Sequence, residues 1–351
     1  MSHDSVNLFN IPAGAPFLDW LADGLTHDLS FGGALATGFA LHNFLILLPT
    51  RRAVRELRHA LLERSDTDSL LLPDIRPLAD IDETEIFFHA PDVSMLDMPP
   101  LIPQLQRETF FMSEILGWVS DSAQERNLSS NIVKAASLAS DLASFLNQAQ
   151  TEEVDLSGLQ ELVDDQFAQN WQETVEFLSI LTAKWPAWRD REGGVDPSEH
   201  RNRLLRLQAQ SWRDMPPSKP VIAAGSTGSI PATADLLKQI LDLPNGMVIL
   251  PGLEVDMSSE SWALLAKEHA HPQSGLYHLL NRLDVSRSQV QPFPTFQTMP
   301  ETKNLDATVK KLGVDFSREE LLEQFPAARS FPIVIIDGVN VGGFTEFSKL
   351  V

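Results

Sequence analysis

Two short stretches of this chain carry residue types at spacings that suit phosphate chemistry. The first is Gly225-Ser-Thr-Gly-Ser229. Its glycines let the backbone approach a ligand closely, and its hydroxyls both donate and accept. The second is Thr50-Arg51-Arg52. A threonine ahead of a helix caps the first turn, where free N–H groups and the partial positive charge of the helix favour anions. Arg51 and Arg52 add charge-assisted donors, and Arg55 and Arg58 extend the basic face at i+3 and i+4 spacing. Each stretch also has an ordinary structural reading. Ser226 or Ser229 can cap the next helix, and the arginines can pair with Glu56 and Glu63 on a solvated face.

The elements around both stretches are those of a parallel sheet. Val221–Ala224 is an apolar run that leads into the first turn, and Pro231 then opens a helix carrying Leu236, Leu237, Ile240 and Leu241. Met247–Leu250 follows as a second apolar run. The whole is one βαβ crossover, in which ligands meet the loops at the carboxyl ends of the strands. Phe44–Leu48 reads as a further buried parallel strand, followed by a helix with Val54, Leu57, Leu61 and Leu62 on its inner face. Asn7–Ile11 reads as a strand and Phe17–Leu25 as a helix. Residues 66–100, rich in Pro and Asp, read as loop. Residues 101–192 carry helical patterns over about 103–121, 129–149, 155–163 and 166–191, with breaks at Thr151-Glu152 and Asp155-Leu156 and an end at Gly193-Gly194. Helices are expected over 197–213 and 259–270.

Most catalytic chemistries lack their residues. Asn10-Ile-Pro-Ala-Gly-Ala-Pro-Phe17 stands where a nucleoside-triphosphatase has its phosphate loop, but it holds neither Lys nor Ser/Thr, and two prolines remove N–H donors. The chain has no cysteine, so disulfides, thiolate metal sites and thiol catalysis are excluded. His269 and His271 have no further ligand at metal spacing. Asp80, Asp82, Glu83 and Glu85 have no neighbouring Lys and read as a solvated loop rather than a nuclease centre. Trp171, Trp185, Trp188 and Trp212 read as core rather than base-stacking residues. No catalytic residue, cofactor or metal is assigned.

The net charge is −21, with 48 acidic and 27 basic residues among 351. That opposes a surface coated for nonspecific nucleic-acid binding, while leaving room for one basic groove. No apolar run reaches the length of a membrane span, and the start Met1-Ser-His-Asp-Ser5 is not organised as a signal peptide. A cytoplasmic protein with no membrane partner is expected.

Four ordered segments resemble the amino-terminal region of AddB, a subunit of the bacterial AddAB helicase–nuclease that resects double-strand breaks. They are Ile11-Pro-Ala-Gly-Ala-Pro-Phe-Leu-Asp19, Ile46–Arg58, Leu71-Leu-Pro-Asp-Ile-Arg-Pro-Leu78 and Pro220–Lys238, within about residues 6–295. The resemblance implies a P-loop NTPase-like, helicase-like α/β fold that is motor-dead, with its two parts at 1–100 and 216–295 and a helical insertion at 101–215. It implies DNA contacts, single- or double-stranded, by Thr50, Arg51, Arg52, Arg55, Ser226 and Thr227. It further implies an AddA-type partner that supplies the motor, and a role in grasping and scanning DNA during repair. The nuclease and iron–sulfur cysteines of that family belong to a carboxyl-terminal domain that has no counterpart here.

Beyond the Pro-rich joint at 293–300, Ser330-Phe-Pro-Ile-Val-Ile-Ile-Asp-Gly338 and Gly342-Gly-Phe-Thr-Glu-Phe347 resemble the carboxyl half of a glutaredoxin. This implies a small α+β, thioredoxin-like fragment over 296–351, with helices near 308–311 and 317–325 and a hairpin at Asp337-Gly338. Pro332, Gly342 and Gly343 are its glutathione-facing remnants. Without cysteine it carries no thiol–disulfide chemistry. A protein-interaction scaffold without nucleic-acid contact is the alternative that the acidic charge favours.

Overall fold

Four apolar runs of the sequence become neighbouring strands of one sheet in the computed structural model. It describes residues 6–27, 41–64, 70–78, 98–121, 132–157, 176–268 and 271–294, with the pairs 335–336 and 339–340. The strands are β1 (Leu8–Ile11), β2 (Leu45–Leu48), β3 (Asp74–Pro77), β4 (Val221–Ala224), β5 (Gly246–Pro251) and β6 (Gln291–Pro292). Their order is β3-β2-β4-β5-β1-β6, and every pairing is parallel. The first helices are α1 (Phe17–His27) and α2 (Arg51–Glu63), followed by α3 (Gln104–Asp121) and α4 (Ile132–Glu152). A π-turn (Ile180–Lys184) then runs into α5 (Trp185–Glu192). The remaining helices are α6 (Pro197–Asp214), α7 (Pro231–Leu241), α8 (Ser259–Leu264) and α9 (Ser274–Leu283).

The continuous apolar runs are explained by burial on both faces. Side chains alternate between the faces with period two. Leu8, Leu45, Leu47, Val221, Ala223, Val248 and Leu250 pack with Leu205 and Ala209 of α6, Leu236 and Ile240 of α7, and Leu276 and Leu280 of α9. Phe9, Ile11, Ile46, Leu48, Ile222, Ala224, Met247 and Ile249 point the other way, against Trp20, Leu21 and Leu25 of α1 and Val54, Leu57 and Leu61 of α2. The strands before and after the helical segment therefore share one sheet.

Three sequence expectations need correction. Leu71–Leu78 is not all loop: Asp74–Pro77 forms β3, an edge strand whose short, Pro-flanked, charged sequence hides the pattern. Leu62 is not on the inner face of α2, being 48% exposed, because it lies off the stripe formed by Val54, Leu57 and Leu61. The α4 helix ends at Glu152, at the break expected at Thr151-Glu152, with Glu153 at φ +56°; beside it Asn202 Nδ2 donates to the Gln150 carbonyl (2.9 Å) and Arg201 to the Thr151 hydroxyl (2.9 Å). After α8, residues 265–267 continue as tight i→i+3 turns rather than as α-helix. Trp171, His269 and the acidic run at 80–85 lie outside the described residues, as do most of 155–163 and the tail helices. In the tail, Ile335–Ile336 and Val339–Asn340 pair antiparallel with Ile336 opposite Val339, and Asp337-Gly338 lies outside the described residues.

The helices α3, α4 and α5 form a block with its own apolar cluster, built on Phe111, Ile115, Leu142, Leu146, Ile180 and Trp185. Trp185 is buried and Trp212 belongs to the sheet core, while Trp188 is half-buried and stacks on Trp185. At the base of the block lies a fully buried carboxylate. Asp196 accepts from Arg107 Nη1 of α3 (3.3 Å), Gln150 Nε2 of α4 (2.7 Å) and Trp185 Nε1 of α5 (3.0 Å). Removing one partner from such a buried ion pair costs about 3–5 kcal/mol.

Two glycines give opposite expectations. A Cβ on Gly246 would overlap the Ile240 carbonyl oxygen, which is backbone and cannot rotate away. Gly246→Ala is expected to lower stability by about 3 kcal/mol or more in urea denaturation. A Cβ on Gly117, at an exposed position of α3, meets nothing within 4 Å. Gly117→Ala is expected to raise stability by about 0.5–1 kcal/mol.

Candidate nucleic-acid interface

The winding of the sheet decides where a ligand can sit. From β2 the chain passes through α2 to β3, toward one edge. From β4 it passes through α7 to β5, toward the other, on the opposite face. β2 and β4 are neighbours, so their connections diverge and leave a crevice at their carboxyl ends, the topological switch point of an open α/β sheet. Pro49-Thr50 follows β2 and Gly225-Ser226 follows β4. Both sequence-predicted stretches therefore flank one crevice.

The loops there are close-packed. A Cβ on Gly225 would stand 3.1 Å from the Phe17 ring and 3.6 Å from Pro49 Cδ. Gly225 and Gly228 adopt φ of +78° and +58°, conformations that side chains disfavour. A Cβ on Gly228 would also overlap Leu279 of α9. The β5 loop closes the far side: Gly252 N donates to the Ile11 carbonyl (2.7 Å), at the start of the Pro12–Pro16 turn. Asn10, buried in β1, donates to the Leu253 carbonyl (3.0 Å) and accepts from Leu253 N (2.8 Å). Asn10 and Gln273, which ties Gly252 to α9 (2.8 Å), are positioning residues that the sequence reading missed. A polar side chain among buried apolar neighbours is the signal that marks Asn10.

Each predicted side chain has a definite setting. Thr50 is the N-cap of α2, and its hydroxyl oxygen accepts from Ala53 N (3.1 Å). Arg51, Arg52 and Arg55 are exposed on the first turns. Arg52 pairs with Glu56 (2.7 Å), as the solvated-face reading allowed, and this hydrogen bond raises its pKa above the ordinary arginine value. It is a cation at any working pH. An exposed i,i+4 pair is weak and opens readily for a better partner. Arg58, also exposed, donates to the Ile75 carbonyl of β3 (3.1 Å), so it braces the sheet edge. Ser226 does not cap α7, nor does Ser229. Ser226 Oγ accepts from Gly228 N (3.2 Å) within the turn, and Ile230 stands at the N-cap without a side-chain bond. Thr227 and Ser229 are exposed, and Thr227 faces Gly275 at the start of α9. Pro332, Gly342 and Gly343 lie outside the described residues. No group of metal-ligating side chains occurs among the described residues, and no helix among them is long and apolar enough to cross a membrane.

No protein-family model and no curated protein matches this chain.

The cap on α2 is directly testable. Thr50→Ala is expected to destabilise the chain by about 1 kcal/mol, and Thr50→Ser to restore most of the loss. Chemical denaturation of the variants checks both.

Proposed function

We propose that the carboxyl edge of this sheet holds the sugar–phosphate backbone of single-stranded DNA without acting on it. Arg51, Arg52 and Arg55 supply charge, and Ser226 and Thr227 supply hydroxyls from the opposite side. In this reading the chain is the helicase-like, motor-dead part of an AddB-like subunit. It grips DNA while an AddA-type helicase–nuclease supplies ATP hydrolysis and cleavage during double-strand break repair.

One observation carries the reading. Two of the segments that resemble AddB, Ile46–Arg58 and Pro220–Lys238, contain the loops that follow the neighbouring strands β2 and β4 at the crevice. Local charge supports it: residues 51–58 hold four arginines against one glutamate, in a chain of net charge −21. A parallel sheet with a large helical insertion between β3 and β4 is compatible with the helicase-like fold. The Pro12–Pro16 turn joins β1 to α1, and its residue types suit an ordinary turn rather than a nucleotide grip.

A scaffold that binds protein alone is the second reading. A shallow cavity of about 590 Å³ on the helical block favours it. Pro103, Leu105, Phe110 and Trp188 line that cavity, with no ionisable residue among its lining.

Single-strand affinity measured against salt separates the two. Changing Arg51 and Arg52 together to Ala is expected to flatten the slope of log K against log salt by about 1.4, the loss of two single-strand phosphate contacts. An unchanged slope contradicts the proposed contacts. Absence of binding at low salt, with co-elution of a protein partner, selects the scaffold.

A further inference from the structure

The helical block and the sheet are packed separately. No residue of α6 belongs to the apolar cluster of α3–α5, whereas Leu205, Ala209 and Trp212 of α6 belong to the sheet's own core. What joins the block to α6 is polar. Arg107 and Gln150 bind Asp196, and Ser198 donates to Asn147 (3.4 Å). Arg201 donates to Thr151, Asn202 to Gln150, and Arg206 to Glu153 (2.6 Å). Four polar atoms buried along this seam have no partner: Arg107 Nε, Gln150 Oε1, Arg201 Nε and Asn202 Oδ1. A seam of this kind resembles an interdomain contact rather than a domain core.

The chain enters and leaves the block side by side. Ile102 N donates to the Val195 carbonyl (2.9 Å), and Val195 N donates to the Pro100 carbonyl (3.0 Å). Gly193, at φ +65°, and Gly194, whose Cβ would lie 2.5 Å from Ile102, complete a narrow neck. From the neck, α6 runs for 18 residues, about 27 Å, and its far end leads through Pro216-Pro217 to the start of β4.

We infer that α3–α5 is a hinged unit that turns about the 100–102 and 193–195 neck and is latched in this pose by Asp196. The latch needs a carboxylate. All three side-chain partners of Asp196 are donors, so an amide in its place turns its own donor toward one of them. Breaking the latch exposes polar groups that water can satisfy, so the unit can move without opening either apolar core. This inference is independent of what the crevice binds.

The absence of native cysteine permits a clean test. Spin labels on Ser144→Cys of α4 and Asp242→Cys beyond α7, both exposed positions, report the distance between block and core. One narrow distance is expected in the labelled full chain. Adding Asp196→Asn is expected to shift or broaden it, while amide exchange stays slow within α3–α5 and within β4 and β5. An unchanged distance overturns the inference. A shift accompanied by lost protection inside α3–α5 also overturns it, because the block then does not hold itself together. Should Asp196→Asn fail to fold, Trp185→Phe removes one donor, keeps the carboxylate and the aromatic packing, and is read in the same way.

Discussion

The reversal of winding between β2 and β4 is the constraint on which the rest of this molecule depends. A right-handed crossover fixes the face on which each connecting helix lies. Crossovers toward the β3 edge put α1 and α2 on one face, and those toward the β6 edge put α7 and α9 on the other. Both faces are then buried, which favours strands that are apolar throughout, as β2 and β4 are. The divergence that sets this layering also leaves a gap at the carboxyl ends of β2 and β4. Layering and cleft have one cause.

The cleft is shaped mainly by backbone. Gly225, Gly228 and Gly252 take left-handed conformations where loops pass close to Phe17, Leu279 and Ala13. Fixed turns hold the N-termini of α2 and α7 in place, and the arginines of α2 provide the charge. Asn10 and Gln273 contribute by holding the β5 loop through hydrogen bonds to backbone. The floor of the site is thus set by backbone, while its arginines lie exposed on the first turns of α2. That combination suits a polymer backbone better than a small molecule needing a precise pocket.

Much of this was legible in the sequence, for identifiable reasons. Ile46–Leu48, Val221–Ala224 and Met247–Leu250 are unbroken apolar runs, and burial on both sides makes such runs unmistakable. Thr50 as a cap and Gly193 as a helix end follow from local chemistry, and both stand where expected. β3 was hidden because an edge strand pairs on one side and tolerates Asp, Arg and Pro. The role of Ser226 was legible only in part, since a turn and a helix cap use the same hydroxyl. Asp196 was invisible in the sequence. Its partners lie 89, 46 and 11 residues away, and only the folded block brings Arg107, Gln150 and Trp185 to one carboxylate.

Amide exchange of the full chain, with and without a single-stranded oligonucleotide at low salt, tests the central claim most directly. The account predicts that exchange slows together in residues 50–55 and 225–230, the two sides of the crevice, with smaller changes elsewhere on the sheet. Protection confined to the helical block, or to neither segment, would contradict it.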